Sequence, residues 1–360
     1  MQVTPEFLHR HQIEPQRIAV GVSGGADSLS CILMLQEQNP SYQFIALTVD
    51  HGLRPTSRQE AEYVASIMQQ NGIEHHILEW KGRKPKTGIE EKARQARYNL
   101  MYDWCSRQQV KYLVLAHHLY DQAETFLMRL ERGSGTYGLS SMQEVTPFKE
   151  IYLLRPLLKT RPEELKSYLN QKGITWVEDE SNQCTDFLRV RMRKFLPELE
   201  QKSGITPERL SLAIENIQQT RNFIAAVVTE KMMTKVHFWS SVGCSFDYQE
   251  FLSWHDELKF YMLRELIQRL GQQEYTPDSS SLKMQLQKLV AGKSTSFTLG
   301  HVYIEKSDNR LWLIKETRLN LAALKEQDWQ LYENNHPVVR GIKLPYKLRQ
   351  TLFYEKSEQK

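Results

Sequence analysis

The sequence predicts an α/β fold: a doubly wound parallel sheet, then a helical connector and a small α+β C-terminal domain. Three observations carry this expectation. Short apolar runs alternate with helix-type stretches through the first half of the chain, the order that builds a parallel sheet with helices on both faces. The first run stops at a glycine-rich turn, Ser23-Gly24-Gly25-Ala26-Asp27-Ser28. Near residue 200 the pattern breaks at Leu196-Pro197-Glu198 and then at Gly204-Ile205-Thr206-Pro207-Glu208, and a long helical stretch follows.

Residues 17–22 (RIAVGV) are the first predicted strand, and 28–36 the first helix, with Leu29, Ile32, Leu33 and Leu35 apolar. Residues 44–49 (FIALTV) form the near-continuous apolar run expected of a strand buried on both faces. That run ends at Asp50-His51-Gly52. A helix over 57–71 is closed by Gly72, a C-cap signal. Residues 76–80 give a third strand, and 90–108 a long helix with Ala93, Ala96, Leu100 and Trp104 at helical spacing. A fourth strand over 112–116 ends at His117-His118, and the next helix carries Ala123, Phe126, Leu127 and Leu130 on one face. Beyond the break, Thr206 reads as an N-cap with Pro207 at the first helical position. The helix that follows, to Lys235, reads as a connector. Residues 237–316 read as an α+β unit ending in strands at 297–299 and 311–314, while 317–360 are polar and weakly patterned. The expected division is therefore 1–200, 201–236, 237–316 and a tail over 317–360.

Composition narrows the class. With 360 residues, 40% hydrophobic and 25% charged, the chain is an ordinary soluble protein of two or three domains. The opening MQVTPEFLHRHQIEP has no apolar h-region, and no apolar run is long enough to span a bilayer. Cys31, Cys105, Cys184 and Cys244 are scattered without a C-x-x-C, which argues against a zinc ribbon or dithiol site and suits the cytoplasm. A net charge of +4 permits a nucleic-acid partner without demanding one.

The sharpest chemical feature is the turn at 23–28. Its glycines let the backbone approach a ligand, and the helix behind it offers free N–H groups and a positive dipole end. Ser23 and Ser28 add hydroxyls, so the turn suits phosphate. It lacks the Gly-Lys-Ser/Thr of a Walker loop and the third glycine of the dinucleotide fingerprint. The plainer reading is a glycine-rich turn with an aspartate N-cap. His51 and His117-His118 fall at strand ends, on the edge where open parallel sheets bind ligands. Asp121 and Glu124 share a face at a helix start; they are dipole partners, or groups for magnesium binding or general-base work. The run Arg189, Arg191, Arg193, Lys194 is a solvated helix face, or it turns an arginine toward phosphate.

Together SGGADS (23–28), VDHGLR (49–54), KARQARY (92–98), AHHLYDQAETFLMRLERGSG (116–135), RPLL (155–158) and DESNQCTDFLRVRMR (179–193) resemble the tRNA(Ile)-lysidine synthetase family of the PP-loop, or N-type ATP pyrophosphatase, superfamily. SGGxDS marks only the superfamily, and the later stretches are more specific. The likeness is strong over 15–200 and weaker over 205–316, where the family carries a tRNA-contacting domain. The tail looks like a shortened version of a further domain. Tyr120 stands where the family has a first aspartate, and Val190 where it has an asparagine. The resemblance implies ATP on Ser23, Gly24, Gly25, Ala26, Asp27, Ser28 and His51, with magnesium on Asp121 and Glu124. It implies catalytic roles for Asp27, Asp121, Glu124, Arg189 and Arg193. The reaction would adenylate the wobble cytidine of a CAU-anticodon isoleucine tRNA and then join free L-lysine to its C2, with Glu124 taking a proton from the amine. A homodimer is left open.

Three alternatives compete. A PP-loop tRNA thiolase commonly needs a C-x-x-C, which is absent. A small-metabolite amidotransferase-type synthetase lacks an evident amidohydrolase portion. A catalytically inactive tRNA-binding protein is favoured by Tyr120 and Val190 and opposed by the intact SGGADS, Asp121 and Glu124.

Overall fold

The computed structural model describes residues 3–53, 56–82, 84, 87–178, 188–272, 278–316, 324–336, 339 and 342–357. Of the motifs quoted above, Arg54 and residues 179–187 lie outside them. Two units arise, Met1–Arg221 and Asn222–Lys360.

The first unit holds a six-stranded sheet of β1 (Arg17–Gly21), β2 (Gln43–Asp50), β3 (Glu74–Glu79), β4 (Tyr112–Val114), β5 (Val145–Phe148) and β6 (Ile151–Leu154). Its order is β3-β2-β1-β4-β6-β5. All pairings are parallel except β5 with β6, a hairpin at the edge. The apolar runs read from the sequence alternate between two cores. Ile18, Val20, Phe44 and Ala46 face α2 (Ala26–Gln38), α3 (Ser57–Gln70) and α7 (Pro162–Gln171). Ala19, Ile45 and Leu47 face Met101, Trp104 and Cys105 of α4 (Ile89–Arg107). Burying each of the larger of these, such as Ile18, Val20, Phe44, Ile45, Leu47 and Met101, stabilises the fold by roughly 1.5–3 kcal/mol. On α4 the buried stripe is thus Met101, Trp104 and Cys105, because Ala93 lines a cleft. The chain winds from β1 out to β3, then crosses back to β4 on the other side of β1. That reversal opens a crevice between the carboxyl ends of β1 and β4.

Local signals behave as expected at several places. Gly72 adopts φ +66°, and Ile73 N–H donates to Met68 O at 2.9 Å to close α3. Thr206 Oγ1 accepts from Arg209 N–H at 3.3 Å, at the start of α9 (Pro207–Lys235). One expectation is corrected. The sequence suggests a break at 196–198, yet α8 (Leu188–Ser203) runs through Pro197. Losing one helical hydrogen bond there is offset by packing: Leu196 is buried with Phe126, Leu210 and Ile214.

The second unit is built on an antiparallel sheet, order β7-β8-β11-β10-β9. Its strands are β7 (His237–Trp239), β8 (Gly243–Asp247), β9 (Ser296–Leu299), β10 (Val302–Ser307) and β11 (Arg310–Lys315), joined by helices that include α11 (Asp256–Gly271) and α12 (Ser279–Val290). The tail has helices of its own, α13 (Glu326–Asn335) and α14 (Tyr346–Ser357). Trp329, Tyr332, Leu348 and Leu352 bury against Trp239, Trp312 and Ile314 of the sheet. Gly243 permits that approach, since a Cβ there would meet Leu313 O at 2.8 Å and Leu348 Cδ1 at 3.1 Å. Among the described residues no helix is long and apolar enough to cross a membrane.

Candidate active site

The turn after β1 is held by its own side chains. Ser28 Oγ accepts from Ser23 N–H at 3.0 Å, donates to Gly25 O at 3.0 Å and lies 3.2 Å from Ser23 Oγ. Gly24 sits at φ +88°, and an added Cβ would meet Val64 Cγ2 at 3.1 Å, so only glycine fits both the conformation and the space. Gly25 is the N-cap of α2 and makes no side-chain cap. The helix therefore starts at Ala26, two residues earlier than the apolar pattern suggests, and Asp27 is not its cap. Asp27 instead projects from the first turn with its side chain 39% exposed. The first-turn N–H groups have no acceptor within the helix, which leaves a positive end.

That end opens on a cleft of about 580 Å³ at the β1/β4 reversal. Ser23, Gly25, Asp27, Ser28 and His51 line it, as the sequence implies, while Gly24 and Ala26 shape the turn from behind. Apolar walls come from Leu53, Ile89, Met101 and Leu115. The cleft also receives His117, at the strand end where the sequence places it, and Arg94, Arg97 and Tyr98, to which the sequence reading assigns no role. Their signal was present: KARQARY places two arginines three apart on one helix, beside Ala93 and Met101 on the same wall. Arg94 donates to Tyr98 Oη at 3.2 Å. Burial depresses the Arg97 guanidinium, with Arg94 and Arg189 adding to it. Among the described residues the buried Nδ1 of His117 has no hydrogen-bond partner. Burial drives its pKa down to about 3; Asp121 opposes the shift, and Arg155, Arg94 and Arg189 reinforce it. It is therefore a neutral imidazole on a basic wall.

A second constellation stands behind Asp27. His118 caps α5 (Leu119–Glu131): its Nδ1 accepts from Asp121 N–H at 3.4 Å, and Asp121 Oδ2 accepts from His118 N–H at 3.0 Å. Asp121 and Glu124 do share a face, but that face is covered by α8. Glu124 is fully buried, with Oε2 accepting from Arg189 Nε at 2.9 Å and Oε1 from Arg193 Nε at 2.6 Å. Asp121 Oδ1 accepts from Arg189 at 3.1 Å. Positions 189 and 193 fall on one helix face, so both arginines turn inward while Arg191 and Lys194 remain exposed. Burial opposes the Asp121 charge, yet His118, Arg189 and the hydrogen bond from His118 N–H outweigh it and hold the pKa below the usual value. Asp27 goes the other way: burial raises it, His118 opposes, and Asp121 adds to the rise. Tyr120 packs against the cluster of Phe126, Leu196 and Leu210, outside these ion pairs. Nothing in the structure explains Val190.

The fit to magnesium follows from these contacts. Among the described residues no group of three His, Cys, Asp or Glu side chains is arranged to hold a metal ion. Both Glu124 oxygens are engaged by arginine, so the Asp121–Glu124 pair does not fit a magnesium ion as it stands. Asp27 does fit, as the single carboxylate that a phosphate-bound magnesium commonly takes.

Comparison with known proteins bears on these residues. Residues 2–199 match the family model described as a PP-loop domain. The tRNA(Ile)-lysidine synthase of Wolbachia pipientis wMel is 33% identical over 306 residues, 84% of this chain and 71% of that protein. The tRNA(Ile)-lysidine synthase of Rhizobium meliloti strain 1021 is 31% identical over 330 residues, 88% of this chain and 71% of its own. Among solved structures, a U34-tRNA thiolase from Methanococcus maripaludis matches the fold with a TM-score of 0.53 at 17% identity, over 61% of this chain and 79% of that one. The chain belongs to the tRNA(Ile)-lysidine synthase family, with a PP-loop domain as its first half.

Proposed function

We propose that the protein joins lysine to C2 of the wobble cytidine in a CAU-anticodon isoleucine tRNA, converting ATP to AMP and pyrophosphate. The carrying observation is the open cradle of Ser23, Gly25 and Ser28 facing a cleft walled by Arg94 and Arg97. In the first step the cytidine O2 attacks the α-phosphorus and pyrophosphate leaves. The C2 carbonyl is a poor electrophile until its oxygen is made a leaving group. The helix dipole, the cradle N–H groups and the two arginines meet the charge that grows on the phosphates. Asp27 would hold magnesium, which supplies further charge neutralisation there.

In the second step the lysine amine attacks C2, a C–N bond forms, the C2–O bond breaks and AMP leaves. Asp121, held ionised, is a weak base, so we assign it to attracting the substrate ammonium. Only the neutral amine is nucleophilic, so the ammonium first gives one proton to water in the cleft; the second nitrogen proton is lost to water after attack, when attachment to the ring has made it far more acidic. Glu124 orients Arg189 and Arg193, in place of the proton transfer implied by the resemblance. We assign the chemistry to residues 1–221 and tRNA contact outside the anticodon to 222–360. A homodimer is not required.

The test supplies ATP, magnesium, labelled lysine and either isoleucine or methionine tRNA, both with CAU anticodons. Label should enter the isoleucine tRNA alone and resist the mild alkali that strips aminoacyl esters. Sulfur transfer without lysine incorporation would favour the thiolase reading. Binding of tRNA with ATP untouched would favour an inactive binding protein.

A further inference from the structure

We infer that His118 is a positioning residue that joins the phosphate cradle to the acidic pair, by standing between Asp27 on α2 and Asp121 on α5. The inference rests on the function proposed above. His118 is buried, 7% exposed, in the last position before α5. Its Nδ1 accepts the Asp121 N–H, so the ring proton belongs on Nε2. Nε2 lies 3.6 Å from Asp27 Oδ2 and 3.6 Å from Asp121 Oδ2. Both distances exceed a hydrogen bond, and both are within ion–dipole reach. Asp27 is the more exposed partner, 39% against 13%, and is free to close the gap when the cleft fills.

Two carboxylates this near repel one another, and an arriving triphosphate adds to the repulsion. A donor between them offsets that charge and fixes one Asp27 oxygen, leaving the other for the cleft. Ser23, Gly25 and Ser28, which the proposed function gives to the phosphates, bond among themselves and not to His118. Its loss therefore bears on the reacting geometry and not on ground-state affinity.

A plain structural role, as helix cap, is separable from this one. In His118→Asn the amide oxygen takes the place of Nδ1 and caps α5, but nothing reaches Asp27. In His118→Gln the amide donor reaches as far as Nε2, while the cap is weakened. The assay is tRNA-dependent pyrophosphate release by the full chain, with Tm measured on the same samples. His118→Asn should melt within about 2 °C of the parent. Its kcat should fall about tenfold or more, with the KM for ATP within about twofold. His118→Gln should melt lower, yet keep a higher kcat than His118→Asn. Full activity in His118→Asn would reduce His118 to a cap and overturn the inference. So would a raised KM at unchanged kcat. Absence of pyrophosphate release by the parent protein would instead overturn the reaction on which the inference rests.

Discussion

Replacing Glu124 by Gln tests whether the ion-pair network is a built element of the site. Glu124 is 0% exposed and bonded to two arginines that are themselves 35% and 38% exposed. On sequence alone, Glu124→Gln and Asp121→Asn should cut turnover with little effect on stability, as at a solvent-facing helix start. Burial changes that expectation. Breaking a fully buried pair costs about 3–5 kcal/mol, because a charge is stranded. Here the stranded charges are on arginines that water can still reach, so the cost is discounted to about 2 kcal/mol. In a unit of this size that lowers the first thermal transition by about 4–8 °C. A double-mutant cycle with Arg193→Gln should give a coupling of about 1–2 kcal/mol. Thermal melts of parent, single and double variants supply all the numbers, and pyrophosphate release is measured alongside. A Glu124→Gln protein that melts within a degree of the parent with additive cycle energies would refute the network.

Three further outcomes are expected. Asp27→Ala should abolish tRNA-dependent pyrophosphate release and leave tRNA affinity near that of the parent; near-normal release would remove Asp27 from the reaction. His117 has a folded pKa of about 3 against an ordinary 6.5, so between these values the unfolded chain binds a proton that the folded chain refuses. Its stability contribution is thus complete above pH 6.5 and is lost as pH falls toward 3, at up to about 1.4 kcal/mol per unit. His75, depressed to about 4 by burial and His76, acts in the same sense, and the raised Asp27 in the opposite one. Urea midpoints at pH 7 and pH 5 should therefore differ less in His117→Asn than in the parent, and an equal difference would contradict the buried neutral imidazole. A chain shortened to Met1–Arg221 should bind tRNA more weakly, its log affinity falling less steeply with log salt by a little under one unit for each phosphate that the second unit neutralises. An unchanged slope would place the phosphate-binding groups in the first unit.

What the sequence disclosed depended on how strongly each segment is patterned within itself. β1 and β2 were legible because both faces are buried, which forces apolar runs such as Phe44 to Val49. The β5–β6 hairpin was not. Val145–Phe148 contains Pro147 and is only half buried, so it shows neither alternation nor a continuous run. The tail helices α13 and α14 were missed because their apolar residues are few. Trp329 and Tyr332, and Leu348 and Leu352, are spaced by three and four, but charged neighbours dilute the stripe. The pattern of α8 is interrupted by Pro197, whose local penalty is overridden by tertiary packing around Leu196. At the site, helical spacing placed Asp121 and Glu124 on one face. It could not reveal what covers that face, since the arginines arrive from more than sixty residues away.

The covered face alters what those carboxylates are for. A buried ion pair is weak support for stability, since desolvation offsets much of the attraction. Its value lies in placement. Arginine carries a long, entropically costly side chain, and a carboxylate gripping Nε fixes the whole guanidinium plane. Arg189 and Arg193 are each held at Nε by Glu124. Each keeps more than a third of its side chain exposed. On the function proposed above, such groups would need no reorganisation when phosphate charge develops, which is where electrostatic catalysis gains most. Lysine at either position would keep the charge and lose the fixed plane. The same logic explains why the free carboxylate of the constellation is Asp27 and not Glu124. On the function proposed above, the carboxylate that meets the nucleotide is Asp27, in the open cleft on a helix N-terminus, while Glu124 is sealed beneath two arginines and serves placement.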